Sequence, residues 1–151
     1  MGAQIQFCTF MVDGHFFGVE VLKVQEVIRY QKLTIVPLAP PVVAGLINLR
    51  GEVVTALDLR RRLELKERDK NLRPLNVIIR SNGNVTSLLV DEIGDVLRLD
   101  SDDFEATLET VSKIGRELIK GVYKLKGRLL LILDVDKTVE VTSGEVSEKI
   151  V

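Results

Sequence analysis

One stretch of the chain occurs twice, and this repetition constrains the fold more than any other feature. Residues 45–63 read GLINLRGEVVTALDLRRRL, and residues 121–139 read GVYKLKGRLLLILDVDKTV, aligned without a gap. At this offset of 76 residues the identical pairs are Gly45 and Gly121, Leu49 and Leu125, Gly51 and Gly127, Leu57 and Leu133, and Asp58 and Asp134. The repetition predicts two copies of one structural unit in a single chain.

Each copy has the pattern of a β-hairpin followed by a short helix. Arg50-Gly51 separates two apolar runs, and glycine readily adopts the positive φ that a two-residue hairpin turn requires. Asp58 follows the second run, where its carboxylate can cap the first turn of a helix. Leu59 and Leu63 are spaced to lie on one face of that helix.

A second, weaker repeat precedes each hairpin. Asp13-Gly14 and Asn82-Gly83 are both turn signals between strand-like runs, and residues 26–29 (EVIR) match residues 95–98 (DVLR) at an offset of 69. Residues 20–29 fit either a helix or a strand, and their β-branched content favours a short turn followed by a strand. Each half therefore has about five strands. A half has too few residues to bury a secure core by itself.

The expected organisation is a mainly β fold of two small subdomains packed on each other. The strands at 53–57 and 129–133 are apolar on both faces, and closing them into barrels would remove their exposed edges. A segment dense in charges of both signs separates the two copies. The expected bounds are roughly 14–65 for the first barrel, 64–73 for an exposed linker, 74–141 for the second barrel and 142–151 for a frayed tail.

The composition restricts the compartment and the partners. The 151 residues are 46% hydrophobic and 28% charged, with a net charge of −1, so no global field attracts nucleic acid or acidic lipid. The single cysteine, Cys8, cannot form an internal disulfide, which fits a reducing compartment. No segment has the pattern of a signal peptide or a membrane span. We expect a cytoplasmic protein without direct membrane insertion.

The residues that usually carry catalysis are scarce. His15 is the only histidine, and no activated nucleophile lies near it in sequence. Cys8 lies inside an alternating strand, which is typical of a buried, inert thiol. One histidine and one cysteine cannot form an ordinary zinc site, and the acids at 100–103 lack the spacing of a calcium loop. We expect a protein without enzyme activity, metal or cofactor.

One basic cluster supports an alternative function. Small β-barrels bind single-stranded nucleic acid through aromatic side chains in a basic groove. The cluster here consists of Arg60, Arg61, Arg62, Lys66, Arg68, Lys70 and Arg73. Acidic residues interleave with it and aromatic residues do not, so a solvated helix face and linker is favoured over a nucleic-acid site. A single-stranded nucleic-acid-binding barrel remains the alternative, and its affinity would fall steeply with salt.

Three stretches together resemble the CheW family of bacterial chemotaxis adaptors. They are GLINLRG at 45–51, GVEVLKVQEV at 18–27 and LVDEIGDV at 89–96, within a resemblance that spans residues 4–141. It implies a single CheW-like domain of two five-stranded SH3-like or OB-like barrels with short helices. The first strand, 4–12, is expected to be exchanged into the second barrel. It also implies a non-catalytic adaptor that couples methyl-accepting chemoreceptors to the histidine kinase CheA.

The resemblance also implies partners and a contact surface. The regulatory domain of CheA shares the fold, and the cytoplasmic tip of a chemoreceptor is a helical hairpin, which suits an apolar groove between the barrels. Kinase-contact residues are not assigned, and the protein would reach membrane-associated receptor arrays only through its partners. The expected receptor-binding residues are Val24, Glu26, Val43, Gly45, Arg50 and Val96. The alternative for Val24 and Val96 is a place in the core.

Glu26 and Arg50 form the most specific part of this expected site. They lie on separate strands among apolar neighbours, and the repeat keeps both signs, because Asp95 corresponds to Glu26 and Lys126 to Arg50. We expect a partly exposed Glu26–Arg50 ion pair at the rim of the groove, with each acid facing its base across adjacent strands. The alternative is two independently solvated charges.

Overall fold

A computed structural model describes residues 2–106 and 113–140. In these ranges the chain is mostly β, as predicted. The strands are β1 (Gln4–Val12), β2 (His15–Glu20), β3 (Val24–Ile28), β4 (Val43–Leu49), β5 (Glu52–Asp58), β6 (Leu75–Ser81), β7 (Asn84–Val90), β8 (Glu92–Asp100), β9 (Glu105–Ala106), β10 (Ile119–Leu125) and β11 (Arg128–Leu133). The helices are α1 (Leu59–Arg62), α2 (Lys113–Leu118) and α3 (135–140), with 3₁₀ turns at Val21–Lys23 and Ser101–Asp103. The predicted tail lies outside the described residues.

The strands form two sheets. One has six strands in the order β8-β1-β2-β11-β10-β9, and the other has five in the order β3-β6-β7-β5-β4. The sixth strand of the first sheet is the two-residue β9, which pairs with the edge of β10. The largest core cluster contains residues of both sheets, and each sheet also has a smaller cluster of its own.

The sheets do not follow the two halves of the sequence. The hairpin β1–β2 pairs with β8 and β11, whereas the hairpin β6–β7 pairs with β3 and β5. A whole hairpin is therefore exchanged in each direction, and not only the first strand. Both β2 and β7 are almost fully buried, and in the exchanged arrangement each has a hydrogen-bonded neighbour on both edges, β1 and β11 for β2 and β6 and β5 for β7.

The register of the strands confirms the duplication. Thr55 pairs with Thr86 in one sheet, and Leu131 pairs with Phe17 in the other, both in parallel strands. Thr55 and Leu131 are related by the offset of 76 residues, and Phe17 and Thr86 by the offset of 69. Both β4–β5 and β10–β11 are antiparallel hairpins, and each has a bulge at the same position. Asp58 caps α1, as predicted, by accepting a hydrogen bond from the Arg60 backbone N–H at 3.0 Å.

The two bulge glycines allow a neighbouring segment to approach the hairpin edge. A methyl group on Gly45 would lie 2.6 Å from the carbonyl oxygen of Thr34, which pairs with Leu46. A methyl group on Gly121 would collide with the carbonyl oxygen of Glu105, at the start of β9. Glycine is required at both positions because only hydrogen fits there.

The linker is only partly exposed, and this corrects the interpretation of the basic cluster. Arg60 and Arg68 both donate to the Asp91 carboxylate, over 2.6 Å from Arg60 Nη2 and 3.0 Å from Arg68 Nε. Asp13 forms a further ion pair with Arg60 over 3.5 Å, and Asp58 forms one with Arg68 over 3.6 Å. These three carboxylates come from different parts of the chain and converge near Asp91, which lies between β7 and β8. The Arg60 and Arg68 side chains are therefore buried.

Candidate functional site

The predicted Glu26–Arg50 ion pair is present. Arg50 Nη1 donates to Glu26 Oε1 at 3.0 Å, and Arg50 Nη2 donates to Glu26 Oε2, so the contact is bidentate. The expectation that the pair crosses adjacent strands is wrong. Glu26 lies on β3 and Arg50 follows β4, and these are the two end strands of the five-stranded sheet. The ion pair therefore joins opposite edges of one sheet.

The pair is partly exposed, as expected. The Glu26 side chain is 25% exposed and the Arg50 side chain is 67% exposed. The hydrogen bond from Arg50 lowers the pKa of Glu26 to about 2, with a smaller contribution from the Gln25 amide. The same hydrogen bond raises the pKa of Arg50. Water screens exposed charges, so the pair contributes little to fold stability and its main effect is on orientation.

The turn that carries Arg50 has a defined backbone. Arg50 has a φ of +51° and Gly51 a φ of +87°, as in a type I′ hairpin turn. Asn48 Oδ1 accepts a hydrogen bond from the Gly51 backbone N–H at 2.8 Å, which ties the turn to the end of β4. Positive φ is uncommon outside glycine, so Asn48 supports a conformation that Arg50 alone would disfavour. Asn48 was not predicted, although an asparagine three residues before a turn glycine is a visible signal.

Three other predicted residues are buried or half-buried. Val24 is half-buried and packs against the largest core cluster, and Gly45 is buried at its bulge. Val43 is 8% exposed and belongs to the same cluster, because alternate side chains of β4 face the core. This corrects the expectation that Val43 lines an accessible groove.

Val96 lies in the other sheet. It is 57% exposed on the edge strand β8. Its counterpart in the repeat is Val27, which is 41% exposed on β3 beside Glu26. The match of EVIR with DVLR already pairs Val27 with Val96, so this exposed valine was accessible to sequence reasoning and was missed.

The expectation that each acid faces its base is wrong for the second copy, which lacks the corresponding ion pair. No ion pair joins the described residues Asp95 and Lys126, and Lys126 does not have the positive φ of Arg50. Asp95 is one methylene shorter than Glu26, and lysine lacks the planar fork that makes two parallel hydrogen bonds. The edge ion pair of this copy instead joins Lys124 Nζ and Glu105 Oε1 over 3.4 Å.

The described residues do not form the other kinds of site considered from the sequence. Within 2–106 and 113–140, no three His, Cys, Asp or Glu side chains are arranged to hold a metal ion. In the part of the chain that the structure describes, no helix has the length and apolar character needed to cross a membrane. Arg60 and Arg68 are occupied by buried carboxylates, so the basic cluster does not form a continuous surface for phosphate groups.

Comparison with known proteins identifies the family. The CheW-like domain family matches residues 6–142. The chain belongs to this family. It is 33% identical over 136 residues to the chemotaxis protein CheW of Bacillus subtilis (strain 168), covering 90% of this chain and 87% of the relative. It is 30% identical over 131 residues to CheW of Rhizobium meliloti (strain 1021), covering 87% and 84% respectively.

A solved structure supports the fold independently. The scaffolding protein TtCheW from Thermoanaerobacter tengcongensis superposes with a TM-score of 0.83 at 23% identity, covering 95% of this chain and 97% of that one. The CheW-like fold and the membership of the CheW-like family, both expected from the sequence, are therefore confirmed.

Proposed function

We propose that residues 4–141 form one non-catalytic adaptor domain that couples methyl-accepting chemoreceptors to the histidine kinase CheA. The observation that carries this proposal is the bidentate Glu26–Arg50 pair, which holds an exposed guanidinium in one orientation. Membership of the CheW-like family, with relatives named chemotaxis protein CheW, supports the same function. The protein would act in the cytoplasm and reach receptor arrays through its partners.

Arg50 has hydrogen-bonding capacity to spare. A guanidinium carries five N–H donors in a fixed plane, and Glu26 accepts from two of its nitrogens. The remaining donors can bind carboxylate, amide or hydroxyl groups on a helical receptor tip with a direction that lysine could not reproduce. The exposed Val27 on the same strand adds apolar contact area for such a helix.

A pull-down with purified proteins tests the proposal. The full chain is incubated with the cytoplasmic fragment of a chemoreceptor, with and without CheA. We expect wild-type protein to bind the receptor fragment alone and to recruit CheA when it is added. Arg50→Ala should lose receptor binding and keep CheA binding, and Lys126→Ala, the matched change in the second copy, should behave as wild type. Full retention of receptor by Arg50→Ala would overturn the proposed contact.

A further inference from the structure

The strand that carries Glu26 has a bulge immediately before it. Val24 pairs with Ile79 and Glu26 pairs with Ile78, so Gln25 is an extra residue without a partner on β6. Neighbouring side chains on a regular strand point to opposite faces, and a bulge re-aims one of them. Here the bulge brings the side chains of Gln25 and Glu26 into contact.

The Gln25 amide is bonded on one side only. Its Nε2 donates to Glu26 Oε2 at 3.2 Å, and the same oxygen accepts from Arg50 Nη2. Its Oε1 is buried and has no hydrogen-bond partner among the described residues. A buried carbonyl oxygen without a partner costs stability, and an apolar side chain of similar length would avoid that cost. Fold stability therefore does not explain a glutamine here.

We propose that Gln25 is a positioning residue for the receptor contact. Its amide holds the Glu26 carboxylate in the plane that receives the Arg50 guanidinium, and so fixes the direction in which Arg50 meets a partner. This inference rests on the proposed function, because Arg50 is the group that contacts the receptor. It adds a residue to that site which neither its charge nor its exposure indicates.

The second copy provides an internal comparison. The β1–β8 pairing has a register shift at the corresponding position, between Cys8 and Phe10, so the irregular backbone is kept. The residue that corresponds to Gln25 is Gly94, where a methyl group would lie 2.5 Å from Thr9 Oγ1. This copy has neither the amide nor the ion pair, so the bulge is common to both copies and the amide accompanies the pair.

The test compares Gln25→Met with Gln4→Met in the full chain. Methionine keeps the length of glutamine and removes the amide. Gln4 is a matched control, because its Nε2 also donates to a carboxylate, Asp100 Oδ2 at 3.4 Å, at the exposed start of β1. Three quantities are measured: the free energy of unfolding in urea, the Glu26 pKa by ¹³C NMR of its carboxyl carbon, and the affinity for a chemoreceptor fragment.

The expected result separates positioning from stability. Gln25→Met should leave the free energy of unfolding equal to wild type or higher, raise the Glu26 pKa from about 2 towards the usual range, and weaken receptor binding about tenfold. Gln4→Met should change neither the Glu26 pKa nor receptor binding. If Gln25 had only a structural role, Gln25→Met would instead lower the free energy of unfolding and leave the Glu26 pKa unchanged.

Two results would overturn the inference. An unchanged Glu26 pKa in Gln25→Met would show that the amide does not hold the carboxylate, whatever the receptor does. The second result is a Gln25→Met variant with a raised Glu26 pKa and wild-type receptor affinity, while Arg50→Ala loses binding. It would show that the positioning of Glu26 by Gln25 has no effect on recognition. If Arg50→Ala itself binds normally, the proposed function fails, and the pKa still decides whether Gln25 orients Glu26.

Discussion

The hairpins β4–β5 and β10–β11 share a backbone plan and differ in what they present. Both have a glycine bulge, an edge segment paired beside it, and an aspartate that caps the following helix. Only the first has an arginine at positive φ, supported by Asn48 and bonded to Glu26. The second carries Lys126 at the same position without a bond to Asp95.

The difference shows that duplication conserved the fold and not the surface. Positions where only one residue type fits, such as the bulge glycines, are the same in both copies. Glu26 and Arg50 correspond to Asp95 and Lys126, which keep the signs of the charges and lack the geometry that makes a directional contact. A partner could therefore distinguish the two halves of a nearly symmetric molecule by one bidentate ion pair.

The largest expected effect comes from a buried position whose counterpart is exposed. Asp91 neutralises Arg60 and Arg68, and its counterpart in the repeat is Leu22, which is 96% exposed. Asp91→Ala leaves two buried guanidinium groups without their shared carboxylate and should lower the free energy of unfolding by about 3 kcal/mol. Leu22→Ala should change it by less than about 0.5 kcal/mol. Urea denaturation measures both, and equal effects would contradict the account.

The bulge glycines should show the opposite behaviour, with equal effects in both copies. Gly45→Ala and Gly121→Ala each place a methyl group against a backbone carbonyl oxygen, so each should cost about 1–3 kcal/mol in urea denaturation. Val53→Ala, at a 70% exposed position of the first hairpin, is the control and should cost less than about 1 kcal/mol. A neutral result at either glycine would mean that the edge segment can move away.

The sequence was sufficient for the local structure. Turn residues such as Asp13-Gly14 and Asn82-Gly83, together with alternating apolar residues, predicted the hairpins, and the 76-residue offset predicted the duplication. The repeat, which places Asp95 and Lys126 at the positions of Glu26 and Arg50, predicted an ion pair in each copy, and among the described residues only the Glu26–Arg50 pair forms.

Long-range pairing was beyond the sequence. The exchange of whole hairpins depends on the parallel pairs β5–β7 and β11–β2, which no local pattern encodes. Arg68 lies in a linker whose charged composition predicts a solvated side chain. Its ion pairs with Asp58 and Asp91 instead make it part of a buried network. Gln25 is neutral, and only the bulge places its amide on Glu26.

Acid should weaken the first copy's ion pair in a defined window. The pKa of Glu26 is lowered to about 2 in the fold, so its stabilising effect is complete above the usual glutamate pKa of about 4.3 and is lost as the pH falls towards 2. Glu26→Gln and Arg50→Met should each reduce the loss of unfolding free energy between pH 5 and pH 3. The effect is small because both side chains are partly exposed. Variants with the same pH dependence as wild type would show that the pair does not form in solution.

The most direct test of the account is a pair of double-mutant cycles on receptor affinity. Glu26→Ala and Arg50→Ala should each weaken binding of the receptor fragment, and the double variant should lose less than the product of the two fold-changes. Asp95→Ala and Lys126→Ala, the matched cycle, should change binding little and combine independently. Strictly independent effects of Glu26 and Arg50, or a coupling of equal size in the second copy, would contradict the claim that one half alone carries the directional contact.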